Sequence, residues 1–101
     1  MRLSETERKA IKAAVKKHFD ATARVYLFGS RTDDQKRGGD IDLYIETELQ
    51  GEELLLAKLR TMSEIQRRIG DRKIDIVTAQ ADQTRDIPPI VQTARENRIP
   101  L

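Results

Sequence analysis

Two short runs, Gly39-Asp40-Ile41-Asp42-Leu43-Tyr44-Ile45 and Lys73-Ile74-Asp75-Ile76-Val77, decide how this chain folds. Both have the β-branched and aromatic content of strands, yet both carry aspartate, a residue that strands disfavour. Side chains alternate across a strand, so Asp40 and Asp42 share one face while Ile41, Leu43 and Ile45 point to the other. Asp75 opposes Ile74 and Ile76 in the same way. If the two runs are neighbours in a sheet, three carboxylates meet on a small patch. Their repulsion then raises the energy of the fold unless a cation offsets it.

The stretch between the runs supplies the connection. Leu55, Leu59, Met62, Ile65 and Ile69 recur at helical spacing after Gly51, and Gly70 is placed to end the helix. A strand, a long helix and another strand form a crossover unit, which makes the two aspartate strands parallel neighbours. Leu54, Leu55 and Leu56 are consecutive and cannot all face one core. Either a broad buried face or a contact with another chain explains them.

Upstream, Ser4 and Glu7 have capping-box spacing, and Ile11, Ala14, Val15 and Phe19 continue an amphipathic helix over about residues 5–19. Arg24 to Phe28 reads as a buried strand that stops at Gly29. Residues 31–39 form a polar loop, with room for one helical turn after Ser30. Downstream of a strand at about residues 73–77, Thr78 to Asp86 is a polar connection. Pro88 and Pro89 open a last helix containing Ile90, Val91 and Ala94, and Ile99-Pro100-Leu101 is a tail. The expected class is α/β (α+β), a small mixed sheet of about three strands flanked by helices in the order α-β-turn-β-α-β-α.

Composition bounds the alternatives. A chain of 101 residues forms one domain that buries roughly 65% of its unfolded surface. A formal net charge of +2 is too balanced to imply direct nucleic-acid binding. Arg60, Arg67, Arg68, Arg72 and Lys73 do cluster, as a solvated helix face or a site for phosphates. The absence of cysteine excludes disulfides and thiolate chemistry and suits a reducing compartment. The polar N-terminus and the lack of an apolar run near 20 residues lead us to expect a cytoplasmic protein without a membrane span. His18, the one histidine, sits in an ordinary helical pattern with no evident partner, so no histidine triad can be built.

The remaining chemistry belongs to carboxylates. Magnesium prefers oxygen ligands, and Asp40 and Asp42 are spaced to bridge two such ions, which can stabilise the attacking and leaving oxygens of a displacement at phosphorus. Asp75 would complete a metal site and can accept the proton of an attacking hydroxyl. Gly29 allows a sharp turn at a strand end, so that its amide and the Ser30 hydroxyl can approach a triphosphate.

The ordered set Gly29-Ser30-Arg31, then Gly39-Asp40-Ile41-Asp42-Leu43, then Lys73-Ile74-Asp75-Ile76-Val77 resembles the DNA polymerase beta-type nucleotidyltransferase superfamily. The short length and the Gly-Ser-Arg start look like the minimal nucleotidyltransferases, including MntA-type antitoxins paired with HEPN-domain toxins. The resemblance covers nearly the whole chain and implies one minimal nucleotidyltransferase domain over residues 1–101. By resemblance, Asp40, Asp42 and Asp75 are the catalytic, metal-binding residues for two Mg2+ ions. Gly29, Ser30 and Arg31 contact ATP, the substrate. Many relatives have a glycine where this chain has Thr32-Asp33-Asp34, which adds negative charge beside the triphosphate.

The activity so implied is magnesium-dependent transfer of AMP from ATP to a hydroxyl, a tyrosine, of a HEPN-type toxin, which makes this chain the antitoxin of the pair. With no space for an acceptor domain, a homo-oligomer or hetero-oligomer supplies the missing surface. Two other readings remain: a non-catalytic subunit that neutralises its partner by sequestration, and a nucleotidyltransferase acting on a small-molecule hydroxyl.

Overall fold

The computed structural model describes residues 3–28 and 41–101. Helix α1 (Glu5–His18) begins with the expected capping box: the Ser4 hydroxyl accepts from the Glu7 amide, and the Glu7 carboxylate accepts from the Ser4 amide. Its buried residues, Ala10, Ile11, Ala14 and Val15, form one stripe. Lys16, Lys17 and His18 occupy its last turn, where the helix dipole favours positive charge. The turn that follows is held by Asp20, whose carboxylate accepts from the hydroxyls of Thr22 and Thr47 and so ties the start of β1 to the end of β2. Those bonds hold the Asp20 carboxyl below its usual range against the opposing effect of burial.

Strand β1 (Arg24–Phe28) runs antiparallel to β2 (Ile41–Glu46), and β2 runs parallel to β3 (Ile74–Ala79) across helix α2 (Gly51–Ile69). The crossover adjacency inferred from the two aspartate runs is therefore present. Gly70 caps α2 at φ 98°, a conformation that β-carbon-bearing residues rarely adopt. Helix α3 (Pro89–Asn97) starts on a proline, whose missing N–H costs nothing in the first turn.

The sheet corrects two expectations. Ile99–Pro100 is not merely a tail but a short strand, β4, antiparallel to β1 with Tyr26 opposite Pro100 and Leu27 opposite Ile99. The described sheet thus has four strands, in the order β3-β2-β1-β4. Proline is tolerated there because β4 lies at an edge, where a ladder donor is not required on both sides. Strand β3 also runs to Ala79, because Thr78 and Ala79 still pair with Ile45 and Glu46. Local composition had marked Thr78 as the start of a polar connection.

Two cores lie on opposite faces of the sheet. On one, Ile41, Leu43, Ile45, Ile74 and Ile76 pack against α1 and α2 through Ile11, Val15, Ala57 and Ile65. On the other, Phe28 and Tyr44 pack against Val91 and Ala94 of α3. No helix among the described residues is long and apolar enough to cross a membrane.

Candidate active site

Asp42 is the second residue of β2, on the face shared with Tyr44 and Glu46. Its cross-strand partner on one side is Phe28 and on the other is Asp75. The two carboxylates thus stand level on adjacent parallel strands, about 4.8 Å apart at the backbone. Asp42 is half-buried and Asp75 exposed. The same alternation that buries Ile41, Leu43 and Ile45 under the helices delivers both acids to the other face. The described chain leaves at Phe28 and resumes at Ile41, both next to Asp42. Asp40, Gly29, Ser30 and Arg31, which complete the expected site, lie outside the described residues.

The donor set favours a hard cation. Asp42 and Asp75 offer only oxygen, and His18 belongs to α1 on the opposite face, so no imidazole competes for a softer metal. Among the described residues no group of three potential ligands occurs. The pair fits Mg2+ as a half-site that a third carboxylate would complete.

A family model described as "Polymerase beta, Nucleotidyltransferase" matches residues 9–96, a span that runs from α1 through α3 and includes both aspartate strands. The chain belongs to the polymerase beta nucleotidyltransferase family. Among curated proteins, none matches it closely enough to count as a relative. General nucleotidyl transfer, and the mixed sheet that carries it, follow from this membership.

Behind the carboxylates, the nucleotidyltransferase domain carries a polar network that sequence reasoning missed. Arg95 of α3 donates from Nε to the Tyr44 hydroxyl at 2.9 Å, from Nη1 to the Gln83 carbonyl at 2.8 Å and from Nη2 to the Gln80 carbonyl at 2.9 Å. Tyr44 in turn donates to Glu46 Oε2 at 3.0 Å, and Arg98 Nη1 donates to the same oxygen at 2.9 Å. The Arg98 guanidinium lies 4.7 Å from the centre of the Tyr26 ring, which stacks on Tyr44 at 5.8 Å. Burial pushes the Tyr44 phenol above its ordinary pKa, partly opposed by the hydrogen bond from Arg95. It therefore acts as a neutral relay between a cation and a carboxylate. The network fixes α3 and residues 80–83 against β2 and holds the strand that bears Asp42. Period-two alternation from Asp42 does place Tyr44 and Glu46 on its face; no local pattern marks Arg95.

Two further sequence readings change. His18 does have a partner: its Nε2 lies 2.7 Å from Oε1 of Glu64, a residue of α2 whose side chain is only 3% exposed. Lys17, Arg67 and Arg68 also surround this carboxylate. The hydrogen bond to His18, with support from Lys17 and Arg68, holds Glu64 below the usual glutamate range despite desolvation. The basic cluster is accordingly more than a solvated face, since Arg68 serves Glu64 and Arg72 pairs with Glu7 at 2.7 Å.

Proposed function

We propose that this domain transfers AMP from ATP to a protein hydroxyl, a tyrosine of a HEPN-type toxin, and that it acts as the antitoxin of a minimal nucleotidyltransferase pair. The observation that carries the proposal is the register of Asp42 beside Asp75 on parallel strands. Asp40, two residues before Asp42, has the parity to join them.

Asp40, Asp42 and Asp75 would hold Mg2+, which when bound supplies charge neutralisation at the triphosphate. The acceptor oxygen attacks the α-phosphorus of ATP, the bond from that phosphorus to the bridging oxygen breaks, and pyrophosphate leaves with its electron pair. Asp75, exposed on β3, would take the proton of the hydroxyl. Gly29 and Ser30 would bind the triphosphate, with Arg31 as a further phosphate contact. The Tyr44–Glu46–Arg95 network keeps β2 and α3 in a single arrangement, so Asp42 reaches the reaction without reorganisation.

Intact-mass spectrometry of the partner encoded beside this chain, after incubation with the domain, ATP and magnesium, tests the proposal. One or more added AMP units, absent with Asp42→Asn, are expected. An unmodified but tightly bound and neutralised partner would replace transfer with sequestration.

A further inference from the structure

A hollow of about 570 Å³ opens between α1 and the side of the sheet where β1 meets the end of the chain. Its lining is aliphatic at Val15, Ala23, Val25, Pro100 and Leu101. A second hollow of about 400 Å³ adjoins it, since Lys12 and Leu101 line both, and carries it along α1 as far as Glu5. The two form one trough that follows α1 from Glu5 to Lys16, a helical rise of about 17 Å.

The helix wall of this trough is cationic. Lys9, Lys12 and Lys16 stand on it at spacings of three and four, all exposed, and Arg8 joins them. Among the described residues none of the three lysines has an ion pair or a hydrogen-bond partner. Arg8 donates to the Pro100 carbonyl, a neutral group, and so keeps its charge uncompensated. Lys17, by contrast, serves Glu64 and does not line the trough. Of the lining carboxylates, Asp20 is taken up by the hydroxyls of Thr22 and Thr47, which leaves Glu5 at the far end. Like charges so spaced weaken a helix, and anions set among them relieve the repulsion.

We infer that this trough binds an extended acidic segment of a partner protein that carries aliphatic side chains at alternate positions. Alternate residues of an extended chain point to the same side and stand about 6.6 Å apart. The turn from Lys12 to Lys16 rises about 6 Å, so successive carboxylates on one side of the segment meet successive ammonium groups. The other side of the segment turns its aliphatic groups onto Ala23, Val25, Pro100 and Leu101.

Other occupants match the trough less well. A fatty acid has one carboxylate and would leave the rest of the lysine row unmatched. The apolar lining is concave, whereas a bilayer is met by apolar groups that protrude into it. Single-stranded nucleic acid needs open aromatic faces, and Tyr26, the aromatic residue in the lining, is already stacked on Tyr44 and covered by Arg98. Because α1 covers the face of the sheet opposite Asp42, this docking stands whether or not the domain transfers AMP.

Fluorescence anisotropy of a labelled peptide, Asp-Val-Glu-Val-Asp-Val-Glu, titrated with the whole chain tests the inference. Saturable binding is expected at about 0.1 M salt and should weaken on the order of 10-fold at about 0.5 M. The double variant Lys12→Glu with Lys16→Glu should weaken it on the order of 100-fold. Ala13→Trp fills the hollow without changing charge and should weaken it about 10-fold or more. All three positions are exposed, so the circular dichroism spectrum should not change. A peptide with serine in place of valine should bind as poorly as the Ala13→Trp variant binds the original. The inference is overturned by the absence of saturable binding below about 1 mM, or by binding indifferent to Ala13→Trp. Tighter binding of phosphatidylserine vesicles or of polyuridylate than of the peptide overturns it as well.

Discussion

Adjacent residues of β2 belong to different worlds. Ile41, Leu43 and Ile45 face a largely apolar layer under α1 and α2, where interchangeable hydrophobes would serve. Asp42, Tyr44 and Glu46, one residue away in each case, face a layer in which charges are relayed through named hydrogen bonds to α3. The first face supplies stability. The second sets the like charges of Asp42 and Asp75 side by side, which costs stability and which the proposed chemistry would use. The separation is made by the pleat of the strand, with no need for a cleft between domains.

The sharpest way to break this contrast is to change neighbours. Asp42→Asn should reduce nucleotidyl transfer on the order of 100-fold or more, while stability in urea changes by less than about 1 kcal/mol. Leu43→Ala, one residue on, empties a site with no exposed surface and should cost about 2–5 kcal/mol, with activity per folded molecule retained. If Leu43→Ala abolished activity in a still-folded protein, the division between faces would fail.

The α3 clamp comes next. Arg95→Met removes three hydrogen bonds, although Tyr44 keeps Glu46 and the Gln80 carbonyl keeps the Gln83 amide, and should cost about 1–3 kcal/mol. Its hydrogen-exchange signature would be early loss of protection in α3 before β2 and β3, and uniform loss would deny the clamp its local role.

A smaller effect concerns pH. Glu64 has a folded pKa below its ordinary value of about 4.3, so the native state binds fewer protons than the unfolded state in that range. The stability it contributes is complete above the ordinary value and is lost as pH falls through the folded one. Urea midpoints measured between about pH 3 and 7 should drop on acidification, and Glu64→Gln should flatten part of that slope. Glu7 and Asp20, lowered by their own hydrogen bonds, account for the remainder.

The smallest effect has the opposite sign. Thr61, fully buried on α2, has a hydroxyl with no hydrogen-bond partner among the described residues. Thr61→Val preserves its shape and should raise stability by up to about 1 kcal/mol in urea unfolding. A loss would mean that the hydroxyl is satisfied in solution.

How much of this was legible beforehand varied with the range of the interaction. The Ser4–Glu7 capping box, the stop at Gly70 and the alternation that separates Asp42 from Leu43 depend on residues within a few positions, and they were read correctly. The pairing of Asp42 with Asp75 spans 33 residues, yet it followed from topology, because a crossover helix of this length leaves little choice but parallel neighbours. What escaped were contacts made by long polar side chains. Arg95 reaches Tyr44 from 51 residues away and His18 meets Glu64 from 46 away, and neither has a periodicity to betray it. β4 escaped for a related reason: two residues ending in proline have no strand signal of their own and are ordered by the edge of β1.

By itself, then, the sequence determined the three helices and the first three strands, their faces and the kind of chemistry, because hydrophobic period, capping and the cost of aspartate in a strand are local quantities. Tertiary structure alone decided which distant cation neutralises which carboxylate, that the sheet gains a fourth strand, and that Leu54 is partly covered while Leu55 and Leu59 remain outside. Those outcomes depend on which surfaces happen to face one another after packing, a property that no stretch of chain carries until the rest has folded around it.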